Sequence, residues 1–234
     1  MKGCKTHVLC VCLFFLAAGP AFCQRITLGA EAGQTSDKFG GFSSTTALLW
    51  GIDGQAVVLK PNEKKGGPSI VAGGELLVPS DSQNHATEYA LYGGAAFKVR
   101  DFTIGVDAQI RKIILPPATE GTQVLNRDKM ELLEIPVVIK YNFGPGKHAF
   151  VQAQGAPEFT PRFRNGSPNP FTLPSPNLDH GYFLRGTAGY NFGRWYAKAS
   201  YETRYFKFAP NAGNPNGVYN WRTDRIMGGL GFVF

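Results

Sequence analysis

The segment 225–234 alternates between two faces with a period of two. One face is bulky and apolar, whereas the other carries glycine, methionine, valine and, at its start, Arg225. This pattern predicts a β-strand with one apolar face. An apolar strand that ends on an aromatic residue, with no polar tail, is typical of the closing strand of a bacterial outer-membrane barrel. The residues that we expect to form this terminal assembly signal are Ile226, Leu230, Phe232 and Phe234.

The N-terminal segment has the parts of a secretory signal peptide. Lys2 and Lys5 precede an unbroken apolar run over 8–18, and small residues precede a cleavage point after Cys23. We therefore expect residues 1–23 to be removed and residues 24–234 to form a single domain. An uncleaved helical anchor would need about 20 apolar residues, which this run does not supply.

Cysteine usage and composition narrow the class of protein further. All four cysteines lie in the predicted signal peptide, so the remaining chain is expected to have no disulfide and no cysteine metal site. No later segment approaches 18 apolar residues and the mean hydropathy is −0.14, which excludes a helical membrane protein. The net charge of +7 comes without clusters of basic and aromatic residues, so we expect contact with anionic lipid head groups and no nucleic-acid partner.

Alternation recurs along the chain, and short connections alternate with long ones. Short turns at one end and long loops at the other are typical of a transmembrane barrel in the outer membrane. The sequence predicts an all-β fold, a closed antiparallel up-and-down transmembrane β-barrel of eight strands. The predicted strands are 25–34, 86–99, 102–114, 130–143, 148–162, 181–193, 195–208 and 221–234.

Segment 35–85 is the ambiguous part of this assignment. A structureless loop of that length is uncommon in a compact domain, and it contains strand-prone stretches at 46–50, 55–59 and 69–78. Two of these stretches could add a hairpin and make ten strands. We expect a long structured first loop, and we keep the ten-strand barrel as the alternative.

The alternation places charged residues of both signs on the predicted lumen face. The interior of an eight-stranded barrel is just wide enough for side chains to fill, so these residues are expected to form a salt-bridged polar core. The alternative is a charged ring that lines a pore. The predicted lumen residues are Glu31, Asp107, Arg111, Glu134, Lys140, Glu158, Arg162, Arg185, Lys198, Glu202, Arg204 and Arg225.

The opposite face carries aromatic residues near the short turns. Aromatic side chains at that height form the interfacial girdle of membrane barrels. A soluble sandwich or lipocalin-like barrel would reverse the two faces. The expected girdle residues are Phe102, Tyr141, Phe143, Tyr190, Phe192, Trp195 and Phe234.

The histidines give only a weak indication of catalytic chemistry. Asp179 and His180 lie near Ser175 at the predicted extracellular rim, and His85 lies at another rim position. The sequence contains no Gly-rich phosphate loop, no Cys/His metal spacing and no Gly-x-Ser-x-Gly motif. We expect no catalytic residue, no cofactor and no metal site. A hydrolase with its site at the rim remains an alternative.

The segment 131–143, with the sequence Glu-Leu-Leu-Glu-Ile-Pro-Val-Val-Ile-Lys-Tyr-Asn-Phe, carries a family resemblance. It resembles a strand of the small porin-like outer-membrane β-barrel domain family, and 150–157 is similar to the strand that follows it there, apart from Gln154. The resemblance covers most of 25–34 and 86–234. It implies one outer-membrane barrel, usually of eight strands, with no catalytic residues. It also implies that the barrel-assembly machinery reads the terminal aromatic strand.

The expected function follows from this location. We expect an integral protein of the bacterial outer membrane that is structural, adhesive or ligand-contacting through its extracellular loops, and that is not an enzyme. Its expected partners are outer-membrane lipids and, during insertion, the barrel-assembly machinery; we expect a monomer. The alternatives are a narrow passive channel for small solutes and the rim-site hydrolase.

Overall fold

The computed structural model describes residues 25–39, 45–59, 68–114, 119–120, 123–124, 129–164, 178–208 and 220–234. The predicted signal peptide lies outside these residues. The described strands are β1 (Arg25–Phe39), β2 (Thr45–Leu59), β3 (Pro68–Pro79), β4 (Thr87–Val99), β5 (Phe102–Ile114), β6 (Thr119–Glu120), β7 (Gln123–Val124), β8 (Lys129–Glu134), β9 (Val137–Phe143), β10 (Ala149–Arg164), β11 (Leu178–Phe192), β12 (Trp195–Phe208) and β13 (Asn220–Val233).

Eleven of these strands form one closed antiparallel sheet. Each strand pairs with its neighbours along the chain, and β13 pairs back onto β1, which leaves no open edge. β8 and β9 both lie between β5 and β10, so they occupy a single position in the wall. We call each such position a stave, and the barrel has ten staves. β6 and β7 form a separate small hairpin.

The break between β8 and β9 falls at Ile135 and Pro136. Proline has no amide hydrogen to donate to a sheet, so it interrupts the hydrogen-bond ladder. The Pro136 carbonyl still accepts a hydrogen bond from the Asp107 amide at 3.0 Å. The stave therefore continues past the proline with its direction preserved.

The eight-strand prediction is wrong, and the ten-strand alternative is confirmed. Segment 35–85 is not a long first loop, because it completes β1 and supplies β2 and β3 as two staves of the wall. The apolar residues of β2 are divided by Gly51, Asp53 and Gly54, so this strand resembles two short strands in the sequence. In the structure Asp53 faces the lumen, so it is an inward position of one continuous strand.

The two faces of the wall have opposite polarity. Outward apolar side chains are well exposed, for example Ile226 at 66% and Ile110 at 64%, whereas inward charged groups such as Glu88 and Arg204 are fully buried. This distribution is the reverse of that in a water-soluble barrel and matches a wall surrounded by lipid. No helix in the described part of the chain is long and apolar enough to cross a membrane.

Aromatic side chains concentrate at one end of the barrel, which we call the lower end; it holds the turns at 100–101, 144–148 and 193–194. Ring centroids are 4.7 Å apart for Phe102 and Tyr141 and 4.9 Å apart for Trp195 and Phe232. Phe234 packs edge-on against Phe232 at 4.9 Å. The other end, where the connections are mostly longer, is the upper end.

Glycine contacts in the lower lumen provide a test of this packing. The inward Gly231 lies directly under the Tyr196 ring, and an added methyl group would overlap that ring; the outward Gly228 faces open space. Overpacking a filled interior typically costs about 1–3 kcal/mol. We therefore expect Gly231→Ala to lower the free energy of unfolding by that amount, measured by denaturant titration in liposomes. Gly228→Ala is the matched control and is expected to behave like the wild type; equal stability of the two variants would contradict the packing.

Candidate functional site

A layer of charges, most of them buried, crosses the lumen of the upper half, and we call it the charge layer. It contains four arginines and five glutamates, and these side chains come from eight of the ten staves. Every member occupies an inward position of the alternation that the strands impose. The members are Glu75, Glu88, Arg111, Glu134, Glu158, Arg185, Glu202, Arg204 and Arg225.

Two arginines of the charge layer join distant walls of the barrel. Arg185 Nη2 lies 2.7 Å from Glu75 Oε1, which links β11 to β3, five staves away on the opposite side. Arg225 Nη1 donates to Glu88 at 3.2 Å and to Glu202 at 2.7 Å, so it links β13 to β4 and to β12. The contacts of Arg185 with Glu75 and of Arg225 with Glu88 run across the lumen, whereas Arg225 and Glu202 are register partners on adjacent strands.

Arg111 is the branching point of the layer. Its guanidinium donates to Glu88 at 3.1 Å, to Glu75 at 3.2 Å and to Glu134 at 3.4 Å. Gln109 Nε2 adds a donor to Glu134 at 2.5 Å. The planar guanidinium has five N–H groups in a fixed geometry, which allows one side chain to hold several carboxylates at once.

Arg204 connects the layer to the β8–β10 side of the wall. It forms close ion pairs with Glu134 and Glu158, and its guanidinium carbon lies 4.9 Å from the centre of the Phe183 ring. Glu158 Oε2, Arg204 Nε and Arg204 Nη2 are buried polar atoms with no hydrogen-bond partner among the described residues, although Arg204 Nη2 lies 3.9 Å from Glu202 Oε1. Removal of Arg204 would leave Glu158 without a charged partner among the described residues, whereas Glu134 would keep Arg111.

An apolar cluster lies directly above the charge layer, and we call it the apolar cap. Ile113 lies two residues above Arg111 on β5, and Phe206 lies two residues above Arg204 on β12, so each covers the neighbouring charge. The Phe206 and Trp221 rings stack at 5.3 Å. The cap consists of Ala86, Ile113, Met130, Leu132, Phe206 and Trp221, all buried.

The connection between β3 and β4 folds into the upper mouth of the lumen. Its residue His85 is buried, and Nδ1 lies 2.6 Å from Asp37 Oδ2. Asp37 also accepts hydrogen bonds from Trp221 Nε1 at 3.2 Å and Thr223 Oγ1 at 2.6 Å. A hydrogen bond from the Asn84 side chain lowers the pKa of Asp81, at the start of the same connection.

Two of the rim residues that could have formed a hydrolytic site, His85 and His180, do not come together. His85 pairs with Asp37 inside the barrel, on the side of β3 and β4, whereas His180 lies on β11. His180 Nδ1 is 3.1 Å from Asp179 Oδ2, and both side chains are at least half exposed. Ser175 lies outside the described residues.

A second, smaller set of charges lies in the lower half of the lumen. Lys198 Nζ lies 2.5 Å from Glu31 Oε1 and 3.1 Å from Asp53 Oδ1. Lys140 Nζ lies 4.0 Å from the centre of the Phe150 ring. Asp107 is a buried inward residue of β5.

The structure distributes the twelve predicted lumen residues over several places. Seven of them lie in the charge layer, namely Arg111, Glu134, Glu158, Arg185, Glu202, Arg204 and Arg225. Glu31 and Lys198 form the lower pair, while Asp107 and Lys140 face the lumen outside both groups. The side chain of Arg162 lies outside the described residues.

Sequence reasoning missed four acidic residues of the lumen. Asp37, Asp53 and Glu75 were missed because segment 35–85 was interpreted as a loop. Glu88 starts a strand in which small residues fill many positions, so its alternation is weak. The period of two could have identified Glu88 as a lumen residue, because it lies on the same face of the strand as Ala90, Tyr92 and Gly94.

Comparison with known proteins supports the fold. No protein-family model and no curated protein matches the chain. The outer membrane protease OmpT from Escherichia coli matches at 13% identity and a TM-score of 0.50, covering 90% of this chain and 97% of that chain. Neisserial surface protein A matches at 11% identity and a TM-score of 0.42, covering 88% of this chain and 96% of that chain. An outer membrane channel from Pseudomonas putida F1 matches at 10% identity and a TM-score of 0.46, covering 92% of this chain and 98% of that chain. The likeness to OmpT shows the fold alone, which is a closed antiparallel β-barrel.

The pairing of Arg204 leads to a stability prediction. Arg204→Met leaves Glu134 with Arg111 but removes the charged partner of Glu158, and breaking a buried pair this way costs about 3–5 kcal/mol. We expect a loss of that size in the free energy of unfolding in liposomes, partly restored when Glu158→Gln is added. The control Arg222→Met removes an exposed pair with Asp224 and should cost less than about 1 kcal/mol. Equal losses in the two single variants would contradict a buried charge layer.

Proposed function

We propose that this protein is a non-conducting, non-enzymatic barrel of the outer membrane that acts through ligand contacts of its upper connections. The observation that carries the proposal is the burial of the charge layer. Glu88, Glu134, Glu202 and Arg204 have no accessible side-chain surface, so water does not reach the middle of the upper lumen. The barrel then serves as a rigid frame for the segments above it.

A passive channel is less well supported by this geometry. Ten staves enclose more space than eight, which by itself favours a narrow pore. The extra space is occupied by the side chains of the charge layer and the apolar cap. A hydrated solute would have to break cross-lumen ion pairs such as Arg185–Glu75 and leave buried charges unpaired, which costs several kcal/mol.

The upper connections have a sequence that suits contacts with neutral polar partners. They span 40–44, 80–86, 115–128, 165–177 and 209–219, and by the usual asymmetry of such barrels the longer connections face the cell exterior. Asparagine, proline, glycine and serine dominate them, and three of the five carry no charged residue. Amide and hydroxyl side chains both donate and accept hydrogen bonds, so neutral, hydroxyl-rich ligands such as polysaccharides are the proposed partners.

One experiment tests both halves of this proposal. The wild-type protein and a variant with 165–177 and 209–219 replaced by short Gly-Asn turns are reconstituted in liposomes and applied to an array of immobilised neutral polysaccharides. We expect binding by the wild type alone, and no single-channel steps from either protein in planar bilayers. A sealed barrel needs no help from the loops to stay closed, so the two readouts are independent.

The contradicting results are equally distinct. Clear wild-type conductance steps would favour the passive channel over the sealed frame. Binding that survives in the shortened variant, or that neither protein shows, would remove the upper connections as the contact surface. Correct folding of the variant is checked by its heat-modifiable mobility in gel electrophoresis.

A further inference from the structure

The lower half of the lumen contains a cation that lacks a counter-charge. Lys140 lies on β9 and faces the lumen, with Nζ above the Phe150 ring. Among the described residues it forms no ion pair, whereas Lys198 is held by two carboxylates and each arginine of the charge layer by at least two. Even partial burial of a charge without a partner is unfavourable, so Lys140 requires an explanation.

A second cation lies at the lower end of the opposite wall. Arg25 begins β1, which is five staves from the β8–β9 stave and so faces it across the lumen. Lys140 is in register with Thr103 near the start of β5, so it and Arg25 both lie toward the lower end of their staves. None of the nearby described acids is within ion-pair distance of Lys140: Glu31 and Asp53 contact Lys198, and Asp107 lies against Gly94 on β4.

Hydrogen-bonding side chains flank Lys140 at the same level of the wall. Thr103 pairs with Lys140 in register, Lys140 pairs with Gln152, and Gln152 pairs with Thr187. All four side chains face the lumen and are partly exposed, whereas seven of the nine members of the charge layer are buried. Solvent therefore reaches this part of the lumen from the lower end.

We propose that Lys140 and Arg25, together with Thr103, Gln152 and Thr187, bind a small anion that carries a phosphate or carboxylate group. Either group accepts charge-assisted hydrogen bonds from a lysine and an arginine at once and relieves their mutual repulsion. The anion enters from the lower end, since the charge layer and the apolar cap close the lumen above. The site is independent of the upper connections and of the ligands proposed for them.

Inorganic phosphate is the probe for this site. The full-length mature chain is prepared in a maltoside detergent, which contains no phosphate, and the 31P line width of added phosphate is followed by NMR. We expect saturable broadening with the wild type. Lys140→Met should weaken the apparent affinity at least about tenfold, as expected for loss of a charged hydrogen-bond donor. The control Lys112→Met removes a lysine that pairs with Glu131 on β8, and it should bind like the wild type.

A second variant keeps the proposal falsifiable should Lys140→Met fold poorly. Gln152→Glu places a carboxylate in register with Lys140, so it keeps the lysine but neutralises it, and it should also abolish broadening. Succinate should compete with phosphate, as a soluble carboxylate. Three results would overturn the assignment to a small soluble anion. They are broadening that does not saturate, wild-type affinity in both variants, and competition by a short-chain phosphatidylglycerol but not by succinate.

Discussion

The rest of the structure depends on ion pairs that run across the lumen. The wall buries its polar backbone in a closed ladder and exposes its apolar face to lipid, which leaves the polar side chains to fill the interior. Charges placed there are stable only when each finds a partner. Arg185 with Glu75 and Arg225 with Glu88 meet this need by joining walls that are far apart in the sheet. The barrel is therefore a packed body with an internal polar core.

The pairing also divides the lumen into two halves with different properties. Above and at the charge layer, inward side chains such as Ile113 and Glu134 are fully buried. Below it, Gln152 and Thr187 are partly exposed, and glycine lies opposite the rings of Tyr196 and Phe150. In our proposals the closed half supports the upper connections, and the open half gives a soluble anion access to Lys140.

The sequence predicted the nature of the wall better than its size. Strict alternation over 102–111 and 195–206 identified lumen and lipid faces, and Arg111, Glu202 and Arg204 are found on the inward side. The predicted number of strands was wrong at β2, because glycine and Asp53 interrupt the apolar residues of that strand. In the sequence such a charge resembles the end of a strand, whereas in the barrel it is a lumen-facing residue. The pairing of Arg185 with Glu75 depends on how the barrel closes. The alternation within one strand gives no information about that closure.

The most direct test of the account measures water access at the level of the charge layer. Ala90 is a buried inward residue in register with Arg111 and Glu75, and Thr187 faces the open lower lumen. All four native cysteines lie in 1–23, so Ala90→Cys and Thr187→Cys each create a single thiol in a protein prepared as residues 24–234. With a charged, water-soluble methanethiosulfonate reagent, the account predicts rapid labelling at position 187 and none at position 90. Equally rapid labelling at both positions would show a hydrated passage and contradict a sealed lumen.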